Sequence, residues 1–176
     1  SIIPAADLSE QISTAGFEAS GTSNMKFGLN GALTIGTMDG ANVEMHERVG
    51  AEHMFIFGLS AQQVEARKHA GEFNAGPDIA ASHRLNDVLQ AIRGGVFSPD
   101  DPGRYVGLVD GLIDYDRFLV CADFDSYWDA QAAVEKHWHD SKAWWRSAVL
   151  NTSRMGWFSS DRTIREYATE IWKALD

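Results

Sequence analysis

The chain has 176 residues, of which 44% are hydrophobic and 23% are charged, and its formal net charge at pH 7 is −10. This length predicts one domain, residues 1–176, with its own core. No apolar run approaches the roughly 18 residues of a membrane-spanning helix, and the acidic balance disfavours a nucleic-acid partner, so neither a membrane nor a nucleic-acid function is expected. The single cysteine, Cys121, cannot form an internal disulfide, which predicts a reducing, cytoplasmic location.

The first 58 residues are rich in small side chains and predict strands alternating with helices. The predicted segments are a helix at 21–30, a buried strand at 33–37, a turn at Asp39-Gly40, a helix at 41–48 closed by Gly50, and a buried strand at 53–58. A strand, a helix and a strand at this spacing form a βαβ unit, so the sheet is expected to be parallel.

Residues 59–176 predict mainly helices. The predicted helices are 60–69 with Ser60 as cap, one or two helices within 77–93, a helix at 104–114 and a helix at 141–154. Between the last two lies a helix capped by Asp123, with Tyr127, Ala130, Val134 and Trp138 on one face. A final helix begins at Ser160-Asp161 and carries an apolar stripe, which consists of Ile164, Tyr167, Ala168, Ile171, Trp172 and Leu175.

A third strand is predicted at 117–121, which is short, apolar and partly β-branched. Three strands are few for a sheet with this many helices, so either a further strand is missed or other strands precede Ser1. The chain begins with Ser-Ile-Ile-Pro rather than Met and has no signal-peptide pattern, which agrees with the second alternative. The predicted class is therefore α/β and helix-rich.

The segment from Glu18 to Lys26 carries the clearest functional signal. Its small residues allow a ligand to approach the backbone, and a helix N-terminus offers unpaired N–H donors, which suits a phosphate near Gly21 and Thr22. Lys26 lies one helical turn, about 5.4 Å, beyond Thr22, which is of the order of the span from phosphate to aldehyde in pyridoxal phosphate. An ordinary helix start with Thr22 or Ser23 as N-cap explains the same residues, so spacing alone leaves both interpretations open.

The same segment resembles a known family. Residues 18–30 match the pattern by which α-glucan phosphorylases are recognised, namely Glu-Ala-Ser-Gly, then Met-Lys, then Leu-Asn, and the match extends over residues 3–44. Segments 55–58, 95–99, 116–118 and 158–164 also resemble that family, while 59–155 as a whole is looser and Phe17 and Gly28 depart from the pattern. The chain thus looks like the C-terminal part of the catalytic chain of a glycogen, starch or maltodextrin phosphorylase.

The resemblance implies a fold and a set of site residues. The fold would be part of the Rossmann-like, parallel-sheet domain that forms the C-terminal half of a two-domain, glycosyltransferase-B-like enzyme. Lys26 would hold pyridoxal 5′-phosphate as a Schiff base, with backbone donors of Gly21 and Thr22 near the cofactor phosphate. Glu18 would accept hydrogen bonds from sugar hydroxyls, and the backbone N–H groups of Ser20 and Gly21 would bind the glucosyl unit.

The resemblance also implies the reaction. The parent enzyme, expected to be a cytoplasmic homodimer, would cleave the terminal α-1,4 bond of a glucan with orthophosphate and release α-D-glucose 1-phosphate. The piece alone lacks much of the pocket and is expected to be inactive. The alternatives are another kind of pyridoxal enzyme, which the family match disfavours, and a non-catalytic α/β binding module derived from a phosphorylase.

Other polar and aromatic residues are expected to be structural. Asp39, Asn42 and Glu44 are explained by a turn and a helix cap. Trp144, Trp145 and Trp172 lie in helical segments and predict core packing. The six histidines form no metal-binding pattern, so no metal site is expected.

Overall fold

A computed structural model of the chain describes residues 2–18 and 20–174. Its strands are β1 (Leu8–Gln11), β2 (Leu33–Gly36) and β3 (Phe55–Ile56). Its helices are α1 (Ser23–Leu29), α2 (Ala41–Val49), α3 (Ala61–Ala70), α4 (Gly76–Ala81), α5 (His83–Arg93), α6 (Val106–Asp114), α7 (Val120–Trp138), α8 (Ser141–Arg154) and α9 (Ser160–Glu166). Within these ranges, none of the helices combines the length and the apolar character that crossing a bilayer requires.

The sheet is parallel, with strand order β1-β2-β3. Leu8 pairs with Leu33 across the first pair of strands, and Ile35 pairs with Phe55 across the second. All four residues of the central strand β2 are buried, as expected for a parallel strand covered on both faces. The predicted α/β class, the parallel sheet and the βαβ unit β2–α2–β3 are thus confirmed.

The core lies on and around β2. Leu33 and Ile35 have no exposed surface and pack in one cluster with Trp144 of α8 and Val134 of α7. A second cluster joins α2 to the turn after α8, and Met45 and Met155 are its most buried members. Gly28 of α1 lies against this cluster so closely that a Cβ there would sit 3.0 Å from the Met155 side chain. These contacts hold α1 against α2 and the turn after α8.

The first strand was not predicted. Leu8–Gln11 reads Leu-Ser-Glu-Gln, which lacks the β-branched and aromatic residues that indicate a strand. Among the described strands β1 pairs only with β2, and Glu10 on it is exposed, where its carboxylate accepts hydrogen bonds from Tyr127 and Gln131. An outer strand of this kind needs no continuous apolar run.

The strand predicted at 117–121 is wrong. Leu119 adopts a left-handed conformation at φ 53°, and α7 begins at Val120. The buried Asp116 carboxylate accepts hydrogen bonds from the N–H groups of Val120 and Cys121 at 2.9 and 2.7 Å, so it satisfies free donors at the helix start. Asp123, predicted as the cap, lies inside the first turn, where it accepts the Leu59 N–H at 2.8 Å.

Most predicted helices are confirmed with shifted ends. Gly50 ends α2, and Ser60 caps α3 in a capping box with Gln63. The segment 77–93 contains two helices, α4 and α5. Trp138, predicted on the packed face of α7 with Ala130 and Val134, is 49% exposed whereas the other two are buried.

The last predicted helix is only partly confirmed. It starts at Ser160 and continues after Glu166 as a π-helical turn, Tyr167–Ile171. Its apolar stripe is not part of a core, because its large members are 44–64% exposed; these are Ile164, Tyr167, Ile171 and Trp172. Leu175, the last residue of the predicted stripe, lies outside the described residues.

A buried hydroxyl joins three parts of the molecule. Ser147 of α8 is 2% exposed, and its Oγ lies 2.9 Å from Nδ1 of His53 and 3.1 Å from Nε2 of His137. His53 precedes β3 and His137 lies in the last turn of α7, so this one side chain links both elements to α8.

Candidate functional site

The loop between β1 and α1, residues 12–22, runs across the carboxyl ends of β1 and β2. In open parallel sheets, ligands bind in the crevice outside these strand ends. Two hydroxyls fix the loop at its start: Thr37 Oγ1 donates to the Ser13 carbonyl, and Thr14 Oγ1 donates to the Phe118 carbonyl, both at 2.6 Å. The loop that carries the predicted sugar-binding residues is therefore attached both to the sheet and to the segment before α7.

A small polar cleft lies beneath this loop. Its volume is about 30 Å³, which is room for about one water molecule. The residues that line it are polar or glycine, and they are Gln11, Ser13, Glu18, Gly21, Ser23, Asn24, Thr37, Asp39 and Asn42. Of the predicted site residues, Glu18 and Gly21 meet here, whereas Ser20, Thr22 and Lys26 do not line the cleft.

Asp39 links the β2–α2 turn to the loop. Its carboxylate Oδ2 accepts the Glu18 N–H at 2.7 Å and the Phe17 N–H at 3.2 Å, and its side chain is 8% exposed. The turn predicted at Asp39-Gly40 is confirmed, since the Asn42 N–H donates to the Asp39 carbonyl at 3.1 Å, but the predicted cap is wrong, because the Asp39 carboxylate makes no cap hydrogen bond to α2. Glu18 and Asp39 are 21 residues apart in the sequence, so no local sequence pattern predicts their hydrogen bond.

Asn42 is a second such residue. Its Nδ2 donates to the Thr37 carbonyl at 3.0 Å, and its Oδ1 accepts from Asn24 Nδ2 at 3.1 Å. Both asparagines are 3% exposed. This buried amide pair joins α1 to α2 directly below the cleft. Asn24 was not predicted from the sequence, and Asn42 was predicted only as part of a turn and a helix cap.

Lys26 lies one turn after Thr22, as the spacing predicts. Its N–H donates to the Thr22 carbonyl at 3.2 Å, and Thr22 is the N-cap residue just before α1, without a side-chain cap bond. Lys26 is exposed, and across residues 2–18 and 20–174 its amine has no ion-pair partner within 4 Å. An exposed amine without an ion-pair partner is accessible to the carbonyl of a ligand.

Gly21 supplies the backbone geometry before the helix. Its φ is 75°, in the region that favours glycine, and a Cβ there would lie 3.4 Å from Glu18 Oε1. Neither the Gly21 nor the Thr22 N–H donates to another described residue. These two amides are thus among the donors that the described structure offers at the start of α1.

No metal centre is indicated in the described part of the chain, since it holds no group of three or more His, Cys, Asp or Glu side chains suited to an ion. The polar cleft instead offers amide, hydroxyl and carboxylate groups on neighbouring backbone segments. Such a set suits a polyhydroxylated ligand, which needs donors and acceptors at close spacing.

Comparison with known proteins decides the family. A sequence model described as carbohydrate phosphorylase matches residues 1–174. The chain belongs to the carbohydrate phosphorylase family.

Individual relatives agree with this assignment. Glycogen phosphorylase, brain form, from Bos taurus is 53% identical over 173 residues, or 98% of this chain and 20% of the relative. Glycogen phosphorylases from Synechocystis sp. and Haemophilus influenzae are each 52% identical over 97% and 98% of this chain. The chain spans about a fifth of the length of these relatives.

The family match covers the polar cleft of this phosphorylase chain. The matched region contains the whole β1–α1 loop, the β2–α2 turn and α1, so the cleft is formed entirely by residues within the family match. The family resemblance and the polar strand-end cleft thus concern the same residues.

Proposed function

We propose that the full-length enzyme containing this chain is a glycogen or related α-glucan phosphorylase, and that Lys26 carries its pyridoxal phosphate. The observation that supports this most strongly is the family match over residues 1–174, within which Glu18 and Gly21 meet in one strand-end cleft. The reaction would be phosphorolysis of a terminal α-1,4-glucosidic bond, with release of α-D-glucose 1-phosphate.

The residues present fit the cofactor. Lys26 offers an exposed amine without an ion-pair partner in the described ranges, and Gly21 and Thr22 offer backbone N–H groups about one turn away. Backbone donors of this kind bind phosphate without a basic side chain, which agrees with a net charge of −10. When bound, pyridoxal phosphate supplies a phosphate group that exchanges protons with the substrate orthophosphate.

The chain's own residues would bind and orient the sugar. The Glu18 carboxylate is exposed at the mouth of the cleft and accepts only a 3.4 Å hydrogen bond from Ser13 Oγ among described groups, so it has lone pairs for sugar hydroxyls. Ser20 and Gly21 follow on the same loop, and their backbone N–H groups would hold the glucosyl unit. Fixing the terminal sugar relative to phosphate lowers the barrier by replacing a bimolecular encounter with an oriented one.

The isolated chain is proposed to be inactive. Its cleft has room for about one water molecule, far less than a glucosyl unit requires. The chain corresponds to about a fifth of its relatives, so the opposite wall of the site and the groups that bind orthophosphate would come from the remainder of the enzyme.

We further propose that the whole enzyme is a cytoplasmic homodimer.

Borohydride trapping tests the cofactor assignment. The full-length enzyme is reduced with borohydride, digested and mapped by mass spectrometry, and we expect a pyridoxyl group on the peptide that contains Lys26. Lys26→Ala should lose the adduct, the near-ultraviolet band and the release of glucose 1-phosphate. Lys142→Ala is the matched control, because Lys142 is also a solvent-accessible helical lysine. An unmodified Lys26 in the wild-type enzyme would contradict the proposal and favour a non-catalytic module.

A further inference from the structure

The turn between β2 and α2 contacts the β1–α1 loop at three successive points. Asp39 accepts the N–H groups of Phe17 and Glu18, and the N–H of Ala41 donates to the Ser20 carbonyl at 2.8 Å. Gly40 between them lies so close to the loop that a Cβ would sit 2.9 Å from Glu18 Cγ. Asp39 and Ala41 of this turn thus bind the loop backbone at Glu18 and at Ser20, two residues further on.

The contact with Asp39 is the strongest of these. A carboxylate that accepts two backbone N–H groups forms charge-assisted hydrogen bonds, which are roughly twice as strong as neutral ones. Asp39 is 8% exposed, so little water competes for its oxygens. The Glu18 side chain is by contrast exposed, and its one hydrogen bond to a described group, from Ser13, is long at 3.4 Å.

This difference indicates how Glu18 is placed. Its side chain is weakly restrained, so its position depends on where its backbone is held, and Asp39 holds that backbone through a 2.7 Å hydrogen bond. We infer that Asp39 is a positioning residue, which sets the Glu18 carboxylate for hydrogen bonding to the sugar. This inference rests on the proposed function for the role of Glu18, but the structural link between the two residues can be measured separately.

A double-mutant cycle in the full-length enzyme tests the functional part. Asp39→Ala should lower kcat/KM for glucan phosphorolysis by about 10- to 100-fold, the scale expected for a misplaced binding group. In a Glu18→Ala background the same substitution should change kcat/KM by less than about twofold, because two residues that act through one contact are not additive. Asp39→Asn retains an acceptor oxygen and should restore most of the lost activity.

The control separates positioning from general loss of structure. Asp140 also accepts a backbone N–H through its carboxylate, from Ala143 at 3.0 Å, but at the start of α8. Asp140→Ala should lower the melting temperature while its effect on kcat/KM, if any, is independent of Glu18. Equal, additive effects of Asp39→Ala in both backgrounds would overturn the inference.

Hydrogen–deuterium exchange tests the structural link without relying on activity. In Asp39→Ala, the peptide covering residues 17–20 should exchange at least about tenfold faster than in wild type, whereas peptides from α8 should not change. Unchanged exchange at 17–20 would reject the role of Asp39, even if the enzyme is active. If Asp39→Ala exchanges faster but the wild-type enzyme shows no phosphorolysis, the proposed function fails and with it the sugar-binding role, while the backbone link stands.

Discussion

A Cβ added to Gly40 would lie 2.8 Å from the carbonyl oxygen of Ser20, closer than real Cβ atoms approach a backbone oxygen. Gly40 also has φ 50° and ψ −135°, a combination that side chains other than hydrogen rarely allow. Steric and torsional constraints therefore coincide at the residue that faces the candidate sugar-binding loop.

Gly40→Ala is expected to destabilise the chain by more than about 3 kcal/mol, since the strain of a disfavoured backbone conformation and displacement of the loop add together. Gly71→Ala is the matched control, because Gly71 has φ 70° but nothing within 4 Å of the position a Cβ would take. That control should cost about 1–2 kcal/mol, the usual penalty of a left-handed residue. Urea unfolding measures both, and equal losses would contradict the close contact.

Two adjacent tryptophans should respond differently to truncation. Trp144 is 3% exposed in the cluster around β2, whereas Trp145 is 63% exposed. Trp144→Ala should cost about 3–5 kcal/mol in the free energy of unfolding, because it leaves a core cavity. Trp145→Ala should change it by less than about 0.5 kcal/mol. Denaturant titration of both variants checks the pair, and similar values would contradict the packing of Trp144, rather than Trp145, in the core.

Loss of the Asp116 carboxylate should weaken the start of α7. Asp116→Ala leaves the buried N–H of Cys121 and the partly buried N–H of Val120 without their acceptor, which should cost about 1–3 kcal/mol. Asp116→Asn keeps an acceptor and should cost less. Thermal and urea unfolding measure the difference, and an Asp116→Ala variant as stable as wild type would show that these bonds contribute nothing.

The thiol of Cys121 should be unreactive in the folded chain. Burial, together with the nearby Asp116 carboxylate, raises its pKa from the ordinary 9.0 to about 12. At pH 8 the thiolate fraction is therefore roughly a thousandfold lower than in the unfolded chain, so iodoacetamide should modify Cys121 quickly only in denaturant.

The same raised pKa predicts a pH dependence of stability. Above pH 9 the unfolded chain releases the thiol proton while the folded chain keeps it, so the free energy of unfolding falls as the pH rises from about 9 towards 12. Below pH 9 both states keep the proton and this group has no effect. The free energy of unfolding is measured at pH 8 and at pH 10 for the wild type and for Cys121→Ala, which isolates the contribution of the thiol. Between these two pH values the wild type should lose more stability than the variant.

Local signals in the sequence predicted the elements with local causes. The Ser60 capping box and the glycine that ends α2 depend on residues within one turn, and both are confirmed. The buried strand β2 was evident from its short run of apolar and β-branched residues. By contrast, β1 is held by pairing with β2, and its own residues do not indicate a strand.

The candidate site was predictable only in part, for the same reason. Glu18, Gly21 and Lys26 are predicted as site residues by the family pattern. Asp39 and Asn42 were missed as site residues because their partners lie far away in sequence: the Glu18 amide for one and Asn24 for the other. Only the folded arrangement brings these groups together.

The hydroxyl of Ser147, placed between His53 and His137, restricts how protons are distributed on the two rings. A hydroxyl has one hydrogen, so it can donate to only one of the facing ring nitrogens. At least one of these nitrogens, Nδ1 of His53 or Nε2 of His137, therefore carries a hydrogen itself. The tautomer of one imidazole consequently limits that of the other, although one precedes β3 and the other lies at the end of α7.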